Sequence, residues 1–255
     1  MPAPPPAMLA ASRPMFCRVV GLEEATADIR IVRLEIVSGG PFRFAAGQYA
    51  RVTFGEQRPR DYSMANAPDA PLLEFHVRHA STAGASAYVA RQLRVGDGVW
   101  VEGPFGEAWL RRDHAGPILA IAGGSGLAPI KSIVEAAVAA RMPQPIHVYL
   151  GARDEADIYL EAHFRDLATR HPRLSFQPVL SEAALPTGRR TGTVVAAVAA
   201  DFADFAGCKA YVAGPPAMVE AAVAMLGSRG LAAADIHADA FHPMPDAGPA
   251  VEPGR

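Results

Sequence analysis

The sequence predicts two architectures in succession: a closed or nearly closed antiparallel six-stranded β-barrel, then an α/β domain built on a parallel sheet. Three observations predict it. Before about residue 105, short runs alternate apolar and polar residues at strand period, with turn residues between them. Beyond residue 113, strands become continuous apolar runs, of which 117–122 is the clearest. Those later strands alternate with helical patterns, which implies right-handed crossovers.

The elements follow in order. Strands are expected over 16–20, 29–36, 48–54, 61–65, 73–77 and 99–102, with one helix over 85–93 interrupting them. Closing six short strands into a barrel removes exposed edges. The second part should contain strands 117–122, 146–150, 174–179 and 209–212. Helices are expected over about 129–141, near 160–170, and over 215–228. The division falls near 110–115, giving domains 16–112 and 113–242. Residues 1–15 and 243–255, rich in Pro and Ala, are expected to be flexible tails.

Composition narrows the function classes. At 255 residues, with half of them hydrophobic and a fifth charged, the chain suits one or two ordinary globular cores. A net charge of −2 argues against a nucleic-acid partner. No apolar run approaches the roughly 20 residues needed for membrane insertion, and the first residues lack a signal peptide's basic start and apolar core. Two cysteines, Cys17 and Cys208, fall short of the about four thiolates an iron–sulfur cluster needs. They read as buried apolar residues, and a cytoplasmic location is expected.

Several short motifs carry chemistry. In Arg60-Asp61-Tyr62-Ser63, strand alternation puts Arg60 and Tyr62 on one face, with Ser63 opposite unless the strand ends there. An aromatic ring there can cover a flavin, a guanidinium can grip a phosphate, and Ser63 can reach the flavin nitrogen that accepts hydride. Alone, the tetrapeptide also fits a strand end with an incidental arginine. Gly84-Ala85-Ser86 opens the barrel helix, where free amides suit a pyrophosphate; an ordinary cap made by Ser86 is the alternative.

Gly123-Gly124-Ser125-Gly126 lies between a buried strand and a helix, the place of a dinucleotide-binding turn. Pro129 stands close to where the usual fingerprint has a third glycine, and proline is tolerated in a first helical turn. A tight structural turn is the alternative there. Gly214-Pro215-Pro216 follows the last expected strand and opens another helix. Ligands gather at the carboxyl ends of parallel strands, so the two turns should be neighbours.

With these motifs in this order, together with Gly103-Pro104-Phe105-Gly106, the chain resembles the ferredoxin–NADP reductase superfamily. Within it, the chain is similar to the reductase components of bacterial ring-hydroxylating oxygenases, from about Met15 to Phe241. The resemblance implies an FAD-binding barrel followed by a Rossmann-like domain for the pyridine nucleotide. It implies that Arg60, Tyr62 and Ser63 form the flavin motif, that His76, Val77 and Arg78 flank the FAD ribityl and phosphates, and that Gly84, Ala85 and Ser86 hold the pyrophosphate. Gly123, Gly124, Ser125, Gly126, Gly214, Pro215 and Pro216 correspond to the nucleotide turns. Phe241, in Asp239-Ala240-Phe241, corresponds to the aromatic beside the flavin; Ser63, Tyr62 and Phe241 are the expected catalytic set. Two departures stand out: Ala213 replaces the usual cysteine, and the plant-type ferredoxin domain common in such reductases is missing.

The implied activity is hydride transfer from NADH to FAD, then single-electron delivery to a separate ferredoxin or oxygenase. A free-flavin reductase and a flavin-binding redox sensor remain alternatives, and the oligomeric state is open. NADH is expected over NADPH. In NADPH-using relatives a basic residue beside a serine after the third parallel strand holds the 2′-phosphate, whereas this chain has Ser181-Glu182, with Asp154 and Glu155 adding negative charge. Arg153, counted among the nucleotide-binding residues, argues the other way with Arg189 and Arg190.

Overall fold

The computed structural model describes residues 14–79, 82–183 and 188–242. The expected tails lie almost wholly outside the described residues. Met15, assigned to the N-terminal tail from sequence, is instead 2% exposed and opens the first strand.

The first sheet contains β1 (Met15–Glu24), β2 (Ile29–Ser38), β3 (Tyr49–Phe54), β4 (Arg60–Ser63), β5 (Leu73–Arg78) and β6 (Gly98–Phe105). The strands are antiparallel, in the order β4-β3-β6-β1-β2-β5. Its two end strands meet at an isolated bridge between Met64 and Phe75, so the sheet curls into a nearly closed barrel. Alternate residues point inward: Cys17 and Val19, Val32 and Leu34, Phe75 and Val77 all join one apolar cluster. Each of the Val, Leu and Phe side chains contributes about 1.5–3 kcal/mol on burial. Helix α1 (Gly84–Arg91) adds Val89 to that cluster.

The second sheet contains β7 (Ile118–Gly123), β8 (Ile146–Ala152), β9 (Leu174–Leu180), β10 (Arg190–Thr191), β11 (Lys209–Gly214) and β12 (Ile236–Ala240). All its pairs are parallel, in the order β10-β9-β8-β7-β11-β12. Every residue of β7 is buried. Helices α2 (Leu127–Ala139) and α3 (Glu161–Arg170) share a cluster with Ile118 and Ala120. The alternate residues Leu119 and Ile121 join α4 (Val194–Asp201) and α5 (Pro216–Ser228) in another cluster, so both faces of the sheet are covered. From β7 the chain winds outward through β8, β9 and β10 on one side, then returns to place β11 and β12 on the other. The order therefore reverses between β7 and β11, and a crevice belongs at the carboxyl ends of those two strands.

Two strands and one α-helix go beyond the sequence reading: β10, β12 and α4. Two-residue β10 is too short to show a period. Val and Ala fill most of α4, and an almost wholly apolar run of eight residues has no polar face to mark it as a helix. The Ile236-His237-Ala238-Asp239-Ala240 strand lacks β-branched residues after its first position and is recruited by pairing with β11. Helix α2 starts at Leu127, ahead of the expected 129, because Pro129 sits in its first turn, where a missing N–H costs no helical bond. Among the described residues no helix is long and apolar enough to cross a membrane.

Candidate active site

Strand β7 runs into a 3-10 turn at Gly124–Gly126, and β11 ends at Gly214 before α5 begins at Pro216. These two turns touch backbone to backbone. A Cβ on Gly126 would stand 2.1 Å from the Ala213 carbonyl oxygen, and one on Gly214 would stand 2.9 Å from the Gly123 nitrogen. Gly214 also has φ +144°, which side-chain-bearing residues rarely adopt. Ala213, where the resemblance expects cysteine, is buried in this contact at 2% exposure.

The turns open onto a cleft of about 330 Å³, lined among others by Gly123, Gly124, Arg78, Arg153, Thr193 and Pro215. Close-packed glycine turns at two helix starts suit the pyrophosphate of a dinucleotide through their backbone amides, while Arg78 and Arg153 at the cleft are already paired with Asp28 and Asp157. The donor set fits the nucleotide that the sequence implied.

The flavin motif lies on β4, which pairs with β3 and runs up to the second sheet. Tyr62 packs edge-to-face on Phe54, with ring centroids 5.9 Å apart, and burial pushes its hydroxyl pKa well up. Ser63, at the strand end, is buried, and its Oγ donates to Oδ2 of Asp239 on β12 at 3.4 Å. The Asp239 carboxyl is shifted up, chiefly by burial and further by the charge of Asp61, against the lowering effect of the Ser63 hydrogen bond. Two residues on, the Phe241 amide donates to the Gly214 carbonyl at 2.9 Å. The flavin-motif serine, the C-terminal aromatic and a nucleotide turn therefore meet at the end of β12.

The remaining expected residues separate into groups. Arg78 donates from Nε to Asp28 at 2.9 Å, and its guanidinium lies 3.6 Å from where a Gly124 Cβ would be. Val77 points into the barrel core, leaving only its backbone for a ligand. His76 is fully buried at its side chain, with Nδ1 3.0 Å from the Tyr159 hydroxyl and Nε2 3.3 Å from Glu74. Both ring nitrogens are engaged within the protein, so it too offers a phosphate only its backbone. Gly84 opens α1 with φ +77° and the N-cap position is Ala83, so Ser86 lies within the first turn and is not its N-cap. Helix α1 contacts β3, the strand that pairs with Arg60 on β4.

Sequence reasoning missed Asp28 and Asp157. Arg153 binds Asp157 through two contacts, 2.7 and 3.0 Å, and reaches Asp28 at 3.4 Å. The Arg153 hydrogen bond is the main reason the Asp157 carboxyl is shifted down. The Asp157 partnership is four residues along one segment and leaves a readable i,i+4 signal. Asp28 comes from the β1–β2 turn, 125 residues away, and nothing local marks it.

Both parts of the chain match known families. The family described as "Oxidoreductase FAD-binding domain" matches residues 16–109, and "Oxidoreductase NAD-binding domain" matches 120–224. The chain is 43% identical over 225 residues to the ferredoxin–NAD(P)(+) reductase component of naphthalene 1,2-dioxygenase/salicylate 5-hydroxylase systems from Ralstonia sp. That match covers 88% of this chain and 68% of the relative. An NAD(P)H-flavin reductase of Aliivibrio fischeri is 33% identical, over 82% of this chain and 90% of the relative. Among solved structures, a cytochrome P450 reductase from Amycolatopsis superposes with TM-score 0.85 at 34% identity, covering 91% of this chain and 71% of that one. The ferredoxin reductase in carbazole 1,9a-dioxygenase superposes with TM-score 0.82 at 27% identity, covering 92% and 71%.

Proposed function

The chain belongs to the ferredoxin–NADP reductase superfamily, alongside reductase components of oxygenase systems, and from that premise we propose how its residues divide the reaction. It is an FAD-dependent NAD(P)H reductase. Bound FAD supplies the two-electron to one-electron conversion. Residues 16–112 hold the FAD and residues 113–242 hold the pyridine nucleotide. Arg60 and the amides opening α1 at Gly84 neutralise the pyrophosphate, Tyr62 covers the flavin, and Phe241 guards the face that the nicotinamide approaches. Ser63 hydrogen-bonds at the reactive edge of the flavin, with Asp239 behind it. The single observation carrying this reading is the 3.4 Å Ser63–Asp239 contact, which puts the end of the flavin motif against the nucleotide sheet.

The preferred donor is NADH. Each arginine able to attract a 2′-phosphate is already held by carboxylates: Arg153 by Asp157 and Asp28, Arg189 by Glu161, and Arg190 by Asp201. Glu182 adds its charge beside Arg153, to whose carbonyl its amide donates at 2.8 Å. A 2′-phosphate entering there meets surplus negative charge.

The electron acceptor is a separate ferredoxin or oxygenase component, as for the relatives that are reductase components. A cytoplasmic site of action suits two buried thiols without a disulfide.

Anaerobic reduction of the purified, FAD-bearing protein tests the reading. About one FAD per chain and rapid bleaching by NADH, with a higher kcat/KM for NADH than for NADPH, are expected. A protein that cannot be reconstituted with FAD overturns the assignment, and an equal or better NADPH overturns the donor preference. The Aliivibrio flavin reductase supports a second reading, in which flavin is a released substrate. Retention of FAD through gel filtration separates the two.

A further inference from the structure

The segment Ala65-Asn66-Ala67, one residue beyond the flavin motif, is gripped at three successive residues by little more than one turn of α2. Lys131 Nζ donates to the Ala65 carbonyl at 3.2 Å, and Ser132 Oγ donates to the Asn66 carbonyl at 2.7 Å. The Ala67 amide donates to Glu135 Oε2 at 3.0 Å. Lys131 also lies 3.1 Å from Glu74 and 2.8 Å from Glu135, so its three donors have three acceptors. Its side chain is only 9% exposed.

Glu74 belongs to β5 and is held in turn by Arg33 at 2.8 Å. A second line of contacts leaves the same place: Glu74 to His76, His76 to Tyr159, and Tyr159 to the Gly124 carbonyl at 3.3 Å. Helix α2 itself begins where the Gly124–Gly126 turn ends. The flavin motif and the nucleotide turn are therefore joined by two short, buried routes that share Glu74.

We propose that this seam sets the separation between the flavin strand and the nucleotide turn, making Lys131 and Ser132 positioning residues for hydride transfer. The inference rests on the reductase reading above. Its physical basis is the steep dependence of transfer on alignment: a misplacement of about 1 Å costs on the order of 100-fold in rate. A network that served stability alone would alter unfolding and leave the limiting rate unchanged.

The test compares the full-length wild type with Lys131→Met, Lys131→Arg and Ser132→Ala. Stopped-flow flavin reduction across a range of NADH concentrations gives a limiting rate and an apparent NADH dissociation constant. Lys131→Met should slow the limiting rate by about 10- to 100-fold, with FAD content and NADH affinity unchanged. Lys131→Arg should restore most of it, and Ser132→Ala should slow it about threefold or more, on the same alignment argument. In FAD-free protein, hydrogen exchange of the Ala67 amide should quicken in Lys131→Met and Ser132→Ala.

A folded, FAD-loaded Lys131→Met with the wild-type limiting rate overturns the proposal. So does a wild-type rate in Ser132→Ala if Lys131→Met fails to fold, or a loss confined to FAD content. A wild-type protein that holds FAD but is not reduced by NADH defeats the underlying reading instead.

Discussion

Lys131 lies between Glu74 and Glu135 with 9% of its side chain exposed, whereas Arg153 lies between Asp157 and Asp28 with 51% exposed. Both places set one cation among carboxylates, yet solvent gives them different consequences. In the seam, burial alone would push the Glu74 carboxyl up. The His76 hydrogen bond and the Lys131 charge outweigh it and hold that carboxyl well below its usual range. Glu135 behaves alike, with His163 and Lys131 overcoming its burial. Removing one member there strands a charge with little water to receive it. At the cleft rim, water solvates whatever a lost partner exposes, so the same change alters local charge far more than stability.

The largest expected effect breaks the seam. Lys131→Met removes the cation shared by Glu74 and Glu135, leaving them only Arg33 and His163, and should lower unfolding free energy by about 3 kcal/mol, read by denaturant titration. A cost below 1 kcal/mol would place the seam with the exposed pairs and dissolve the contrast.

The same pairing predicts acid sensitivity. The folded-state pKa values of Glu74 and Glu135 are depressed, so their stabilisation is complete above the ordinary value of about 4.3 and is lost as pH falls through the folded values. His76 is shifted down, mainly by burial, so below about 6.5 the unfolded chain binds more protons and stability falls in the same direction. Melting temperature should therefore drop on acidification from pH 7. Below about pH 4.3, Glu74→Gln should flatten the drop, and an unchanged slope there would remove the carboxylate from the account.

A smaller effect sharpens the other side of the comparison. Asp157→Asn removes the main partner of Arg153 and leaves its charge facing the cleft. The ratio of kcat/KM for NADPH over NADH should rise about tenfold, equivalent to about 1.4 kcal/mol, with the melting temperature nearly unchanged. A large loss of stability without a shift in that ratio would make the Arg153 clamp structural.

The smallest effect belongs to a fully external pair. Arg170 and Asp166, with side chains 59% and 68% exposed, should yield less than about 1 kcal/mol when Arg170→Ala separates them. A larger cost would mean that exposure does not order these pairs.

Much of this was legible in one dimension. Alternation at strand period marked 29–36 and 73–77 as barrel strands, and the continuous apolar run of β7 announced a sheet covered on both faces. Glycine at 123, 124 and 126, and again at 214, marked the two turns, because a glycine requirement is written in a single residue. The clamp of Asp28 on Arg153 was not legible: its partners lie 125 residues apart. Strand β12 was missed for a related reason, since its Ala, His and Asp residues form a strand only because β11 offers an edge.

Strand β5 separates the two kinds of information. From Leu73-Glu74-Phe75-His76-Val77, the sequence determined which side chains enter the barrel and which leave it, because strand geometry alternates whatever surrounds it. Alternation says nothing about what covers the outward face, and polar residues there would ordinarily meet water. Only the tertiary structure decided that Glu74 and His76 are buried against Lys131 and Tyr159. The reason is physical: pattern depends on neighbours in the chain, whereas desolvation depends on elements brought together from more than fifty residues away.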